Sequence, residues 1–486
     1  MSFLAQTVSG DRFGRIEARG IDHVPQGERH GRARELFAVW AASNTTYLYL
    51  LVGGALIGLG LDVAQGIAVV IAGNMFWLLV GLLSISGPAA GTPSSIVMRA
   101  MFGVRGNRLN AAITGCAVSI AYEAINLCIA ALADFALLGW LGIEPGVGGK
   151  ICMVVGIAAV TLTMSVYGHA TIVKLSVYFA AALAACVMVL AAYLAPHVNL
   201  QFVPASAPHG AGLMAALLAG ITIVASGPLS WGTAADYARY LPAETPAAHI
   251  MLWTVLGGFI PSILLGVLGV LAGTAVDMAN PQLSFASILP GWFYPVFLLV
   301  IITGATTNNV LTAYSSGLSL QSIGIAASRS VTVLFDGAAG VGIAIYALFV
   351  ADFLDTLNNI LALSVSLLGP SLAIYGVDIL LRGNRYDGPA LHDETPDSPF
   401  WYFHGFNWAG LGALAAGATV ALLCANTKLL VGPVASMLGG ADISAIAGPL
   451  VAGGMYGPWV GRTVFFSSEK TRDYVTRTAP AAYAKE

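Results

Sequence analysis

A chain of 486 residues that is 57% hydrophobic and 9% charged falls far below the roughly 25% charge of an ordinary soluble domain, which excludes a water-exposed globular fold. Its formal net charge of −3 offers no cationic face to a nucleic acid. The five cysteines, Cys116, Cys128, Cys152, Cys186 and Cys424, lie in apolar runs without zinc or redox spacing and read as small core residues.

Taken in chain order, residues 1–35 form a polar segment with six arginines and no apolar signal core, expected to stay on the chain and in the cytoplasm. Twelve apolar stretches follow, each long enough to cross the hydrocarbon with its backbone bonded internally. They cover 36–60, 63–86, 108–140, 150–168, 172–195, 211–236, 248–276, 291–325, 330–351, 355–381, 408–427 and 442–466. With the amino terminus inside, every lysine and arginine except Lys150 and Lys428 falls on the cytoplasmic side, the bias that orients membrane proteins. A multi-pass protein of the plasma membrane, a bacterial inner membrane, with both termini and the tail 467–486 in the cytoplasm, is therefore expected. The membrane domain is 36–466; the connection 383–405 is polar, and no loop is long enough for a separate soluble domain.

Two spans carry helix-breaking runs. The first contains Ala41-Ala42-Ser43-Asn44-Thr45-Thr46 and then Gly53-Gly54. The sixth contains Ser226-Gly227-Pro228-Leu229-Ser230-Trp231-Gly232, where proline removes a donor and glycine frees the backbone. Gly and Pro also occur at simple kinks in membrane helices. Breaks five spans apart fit two inverted repeats, 36–195 and 211–381, followed by two further helices over 408–466.

Several polar residues inside spans suit a flat solute. Tyr122 and Asn126 stand one turn apart on one face of the third span, so one can stack on a ring and the other read its edge. Glu123 is an ionisable group inside a span, which normally faces a cavity or a partner; it can bind ring N–H groups, carry a proton or tie two helices together. Ser226 and Gly227 in the sixth span can offer backbone groups, and Trp231 a second aromatic wall or plain packing surface. Asp236 and Arg239, at i and i+3, read as a structural or gating ion pair. The eight histidines lie in loops, tails or helix ends, no phosphate-binding loop is present and no filter repeats, so neither an intramembrane enzyme, an ATP-driven pump nor a channel is expected.

The chain resembles the nucleobase–cation symporter family 1, in its purine–cytosine permease branch. The resemblance rests on Glu17 to Pro25 (EARGIDHVP), Gly87-Pro88 with Gly91-Thr92-Pro93, Phe102 to Asn107 (FGVRGN), Tyr122 to Leu127 (YEAINL) and Ser230-Trp231. It continues through Ala235 to Pro242 (ADYARYLP), Asn308-Asn309, Tyr314 to Gln321 (YSSGLSLQ) and, more weakly, Gly405 to Trp408. It implies an all-α, leucine-transporter-like fold of about twelve helices, with the first and sixth discontinuous, and alternating access. The implied activity is import of a heterocycle such as cytosine or a purine together with Na⁺ or H⁺. It places ligand-facing positions at or near Ser226 and Gly227. It also implies a cation site in which Thr306 and Thr307 give hydroxyls and Thr303, Ala42 and Thr45 give carbonyls; threonine hydroxyls also commonly bond back to their own helix. Relatives usually have Trp where Tyr122 stands and Asn where Thr312 stands. Asn309 is then an alternative to Thr312 at the substrate. An allantoin, hydantoin or vitamin-precursor solute, and an amino acid or amine, stay open as alternatives.

Overall fold

The computed structural model describes residues 20–167, 169–204, 206–278, 281–324, 329–351 and 353–459. Residues 1–19, the tail 467–486 and the end of the twelfth expected span lie outside the described residues. Every regular element among them is helical, and extended pairing is limited to the isolated bridges Phe403–Phe406 and Asn426–Val431.

Among the described residues eight helices are long and apolar enough to cross a bilayer, nine when the bent first pair is counted as one span. The first span is Glu35–Asn44 followed by Tyr47–Gly58, with 53° between them. The second runs over Val63–Ala90 and the third over Val104–Trp140. The fourth, Val147–Tyr167, and fifth, His169–Leu194, complete the first half. The sixth is Ala211–Leu229 with a short continuation Ala234–Ala238, and the seventh is Ala247–Ala272. The eighth to eleventh are Tyr294–Ser322, Arg329–Phe349, Phe353–Arg382 and Trp408–Cys424, and a twelfth helix is described over 444–459. This order is consistent with the twelve expected spans.

The first break falls where the sequence placed it, and its cause is local. Ser43 and Asn44 donate to Trp40 O, Ser43 also to Val39 O, and Thr45 Oγ1 donates to Ala41 O at 2.6 Å. Polar side chains thus occupy the acceptors of the preceding turn, and Thr46 adopts an extended conformation. In the sixth span the helix continues through Pro228 to Leu229 and is interrupted over Ser230 to Thr233. The interruption thus takes up the second half of the expected run Ser226–Gly232, while Ser226 and Gly227 stay helical. The third span contains a wide-turned π segment, Ala111–Ala117, just before Val118; such segments recur at functional positions in helices.

Small residues bring the seventh span onto the second half of the first, Tyr47–Gly58. A Cβ on Gly53 would collide with the Gly266 backbone, and one on Gly269 with the Leu50 carbonyl, the close approach that drives helix association in lipid. The connection 383–405 is not a free loop. It forms the short helix Gly388–His392, capped by the Asp387 carboxylate, which accepts from Ala390 N. Arg99, buried beneath it, donates to Leu391 O at 3.0 Å and to Glu394 at 2.6 Å.

Candidate substrate and cation site

The breaks meet at a cavity in the middle of the bundle. The first span contributes Thr46, Leu48 and Tyr49, the third Val118, Ser119 and Tyr122, the sixth Gly227, Ser230, Trp231 and Thr233, and the eighth Asn308, Thr312 and Ser315. The space is tight: ≈ 20 Å³ is open to the centre of a water-sized sphere, room for about one water. A ring enters only with side-chain rearrangement. Two wider cavities, ≈ 690 and ≈ 490 Å³, lie toward the end of the bundle that carries residues 273–294, and both reach Leu51.

On the opposite side the cavity is closed by aromatic packing. Trp231 meets Trp40 edge-on at 5.2 Å between centroids, and Trp40 meets Tyr237 and Trp77 at 5.2 and 5.6 Å. Below them the sixth span is pinned to the segment after the second: Asp236 accepts from Ser94 N at 2.8 Å, while Ala235 N donates to Ser94 Oγ at 3.1 Å. Arg239 donates to Gly20 O at 2.9 Å and to the Tyr314 hydroxyl at 3.1 Å.

The structure brings several of the sequence-derived residues together. Tyr122, Gly227, Trp231 and Thr312 all line the cavity. The Tyr122 hydroxyl donates to Ser226 O at 3.0 Å and lies 3.1 Å from Ser364 Oγ, tying the third, sixth and tenth spans together. Asn126 stands one bond behind the wall: its amide donates to Asn308 Oδ1 at 3.0 Å. Asn308 in turn donates to Ser43 O at 2.7 Å, across the first break, and its own carbonyl accepts from Thr312 at 3.1 Å. Glu123 and Asn309 are not among the residues that line the cavity. Asn308 was named in the sequence only as half of a tandem pair. Its spacing from Thr312 and Ser315, i+4 and i+7, puts it on their helix face, and that period separates it from Asn309. Thr46 was equally inconspicuous, yet its buried hydroxyl borders the cavity without a hydrogen-bond partner, a group free to meet a ligand.

Spans one and eight converge beside the first break. Gly304 faces Thr45 O, with only 3.1 Å between that oxygen and the place a Cβ would take. Thr307 Oγ1 donates to Thr303 O at 2.8 Å, and Thr303 Oγ1 to Leu299 O at 2.7 Å. These hydroxyl protons are committed to their own helix, which leaves oxygen lone pairs for a hard cation. Thr306 is half-buried next to Thr307. Thr303, Thr306 and Thr307 on the eighth span and Ala42 and Thr45 on the first carry hydroxyl or carbonyl oxygens, the hard donor type that cations take.

Residues 23–448 match the family described as permease for cytosine/purines, uracil, thiamine and allantoin. The chain belongs to this family. It is a membrane permease, not an enzyme. Among its relatives, a Bacillus subtilis (strain 168) protein that bears a purine-cytosine permease name is 27% identical over 457 residues, 91% of this chain and 95% of its own length. A vitamin B6 transporter of Saccharomyces cerevisiae is 23% identical over 63% of this chain and 55% of that protein. In structure the permease is similar to Mhp1, a nucleobase-cation-symport-1 family transporter held in a closed conformation with bromovinylhydantoin bound. The TM-score is 0.74 and the identity 18%, over 91% of this chain and 96% of the other. The inward-facing conformation of Mhp1 matches with a TM-score of 0.70 at 17% identity over 92% and 95%. The permease therefore has the leucine-transporter-like fold.

Proposed function

We propose that this permease imports a nucleobase-like heterocycle together with Na⁺, the ring lying between Tyr122 and Trp231. The observation that carries the reading is the convergence of both interrupted spans on one cavity with aromatic walls and polar edges, the arrangement a flat, hydrogen-bonding solute needs. Asn308, held by Asn126, and Thr312 present amide and hydroxyl groups to the ring edge; Gly227 and Ser230 add backbone and hydroxyl groups. Cation coupling follows from the family, and the oxygens of Ala42, Thr45, Thr303, Thr306 and Thr307 favour Na⁺ as the ion at the first break. If the charge bias sets the cytoplasmic side, the wider cavities open outward and the aromatic closure faces the cytoplasm of a plasma-membrane protein.

The test is thermal stabilisation of the purified protein by cytosine, hypoxanthine, uracil, allantoin and hydantoin, each in Na⁺ and in choline. A ligand stabilises only the folded state that binds it. At least one heterocycle is expected to raise the melting temperature in Na⁺ and to do so less in choline. That dependence should disappear in Thr307→Ala. No stabilisation by any of the five overturns the substrate reading; equal stabilisation in choline overturns the Na⁺ assignment.

A further inference from the structure

Glu123 follows Tyr122 in the third span but lies against the ninth. A Cβ on Gly340 would stand 3.3 Å from Glu123 Cγ and 3.4 Å from its Cδ. Asp336 is one turn before Gly340 on the same helix face, near enough for the two carboxylates to act on each other. Glu123 is 1% and Asp336 0% exposed, and none of their four carboxylate oxygens has a hydrogen-bond partner. The eighth span supplies Ser316, also fully buried, whose hydroxyl is without a partner and is set toward Asp336. Among the described residues the other titratable group that acts with the pair is the thiol of Cys116, in the π segment of the third span. The fourth span packs Leu162 against Gly337. Among the described residues no lysine, arginine or histidine acts on either carboxylate.

Two carboxylates without a countercharge cannot both stay ionised in so dry a place. An uncompensated buried charge is strongly disfavoured, and two carboxylates that share a site keep a proton between them. A neutral or singly charged pair avoids most of that cost. We propose that Glu123 and Asp336 form a proton-binding site at the junction of the third, eighth and ninth spans, separate from the oxygen site at the first break, and that the proton is exchanged during transport. Exchange has a structural route to the cavity. Glu123 adjoins Tyr122, whose hydroxyl holds the sixth span at Ser226, and both follow the π segment, where a helix can shift its turn. The role in transport rests on the function proposed above; the presence of the proton does not.

The experiment uses the full chain in lipid nanodiscs. Infrared difference spectra in H₂O and D₂O record the carbonyl stretch of protonated carboxyls in wild type, Glu123→Gln, Asp336→Asn and the double variant. At neutral pH the wild type should show a protonated-carboxyl band that is lost in the double variant. Each single variant should fold and melt no lower than wild type, because an amide replaces an uncharged acid without stranding a charge. A mixture of cytosine, hypoxanthine, uracil, allantoin and hydantoin should shift the wild-type band. The same mixture should acidify wild-type proteoliposomes loaded with a pH dye, but not those of the double variant. Identical wild-type and double-variant spectra overturn the site. A band that is lost in the double variant but does not respond to a mixture that stabilises the protein marks a fixed structural proton and overturns the exchange. Absence of thermal stabilisation by the mixture sinks the substrate reading separately, and the band comparison still decides the site.

Discussion

In the first span the helix ends because Ser43, Asn44 and Thr45 turn their side chains onto the carbonyls of the preceding turn. In the sixth it runs on through Pro228, which has no N–H to give, and stops only at Ser230. The carbonyls exposed at each place are then taken by different partners. Ser43 O accepts from the Asn308 amide of the eighth span. Ser226 O accepts from the Tyr122 hydroxyl of the third and from Ser230 N. In lipid every such acceptor must find a donor. At the first break a neighbouring span has taken over a helix's hydrogen bond; ahead of the second, Ser226 O keeps its bond from Ser230 N and gains another from Tyr122. The two breaks are held from two different helices, so they can be loosened separately.

The largest effect is expected at the first break. Asn308→Ala strands both Ser43 O and the Asn126 amide in a dry interior, at roughly 1–3 kcal/mol each. Heterocycle affinity should fall at least ~30-fold, measured by titration of purified, monodisperse protein. Affinity near wild type would mean that the eighth span does not hold the first break.

A pH contrast separates both breaks from the rim beneath them. His392 sits outside the spans, its Nε2 3.2 Å from Thr92 Oγ1. Burial, with the Arg99 and His23 charges nearby, lowers its pKa from 6.5 to about 4. Between those values the unfolded chain binds a proton that the folded chain refuses, so stability is full above about pH 6.5 and is lost as the pH falls toward 4. The loss should approach about 3 kcal/mol, read as a lower melting temperature at acid than at neutral pH. His392→Gln should flatten that difference. An unchanged acid sensitivity in the variant would place its origin elsewhere, for instance at the breaks.

The sixth break should respond less than the first. Tyr122→Phe removes the hydroxyl that reaches Ser226 O and Ser364 but keeps the ring. About 1 kcal/mol is at stake, a roughly 5-fold loss of affinity. A much larger loss would show that the phenol contacts the solute directly.

The fold was legible from physical signals that survive in a single sequence. Apolar length, the one-sided distribution of lysine and arginine, and the polar run at Ala41–Thr46 each act locally. The Tyr122–Asn126 pair was visible as a shared helix face, but its partners were not. Nothing in the sequence says that Asn126 reaches Asn308 or that Asn308 reaches Ser43, because each contact joins helices far apart in the chain. Glu123 looked equally suited to the solute or to a neighbouring helix; its proximity to Gly340 depends on the packing of the ninth span. The interruption in the sixth span falls in the later half of its helix-breaking run for a related reason. Propensity marks Gly227-Pro228 as the weak point, while the Tyr122 hydroxyl and the Ser230 amide and hydroxyl bond the carbonyls of Ser226 and Gly227 and let the helix persist.

That position leads to the smallest expected effect and the sharpest contrast. If Pro228 itself created the functional interruption, alanine there would supply the missing amide, extend the helix and close the site. Here the helix already includes residue 228, and the turn over Ser230 to Thr233 is sustained by the Ser230 hydroxyl on Gly227 O at 2.6 Å and by Trp231 N on Pro228 O at 3.0 Å. Neither bond needs the proline ring. Pro228→Ala should therefore leave heterocycle uptake within ~3-fold of wild type, while removing an interior proline that ordinarily costs a helix about 3 kcal/mol should, if anything, raise the melting temperature. A folded Pro228→Ala protein without uptake would return the functional break to the Gly-Pro step and leave the Ser230–Thr233 turn as its consequence.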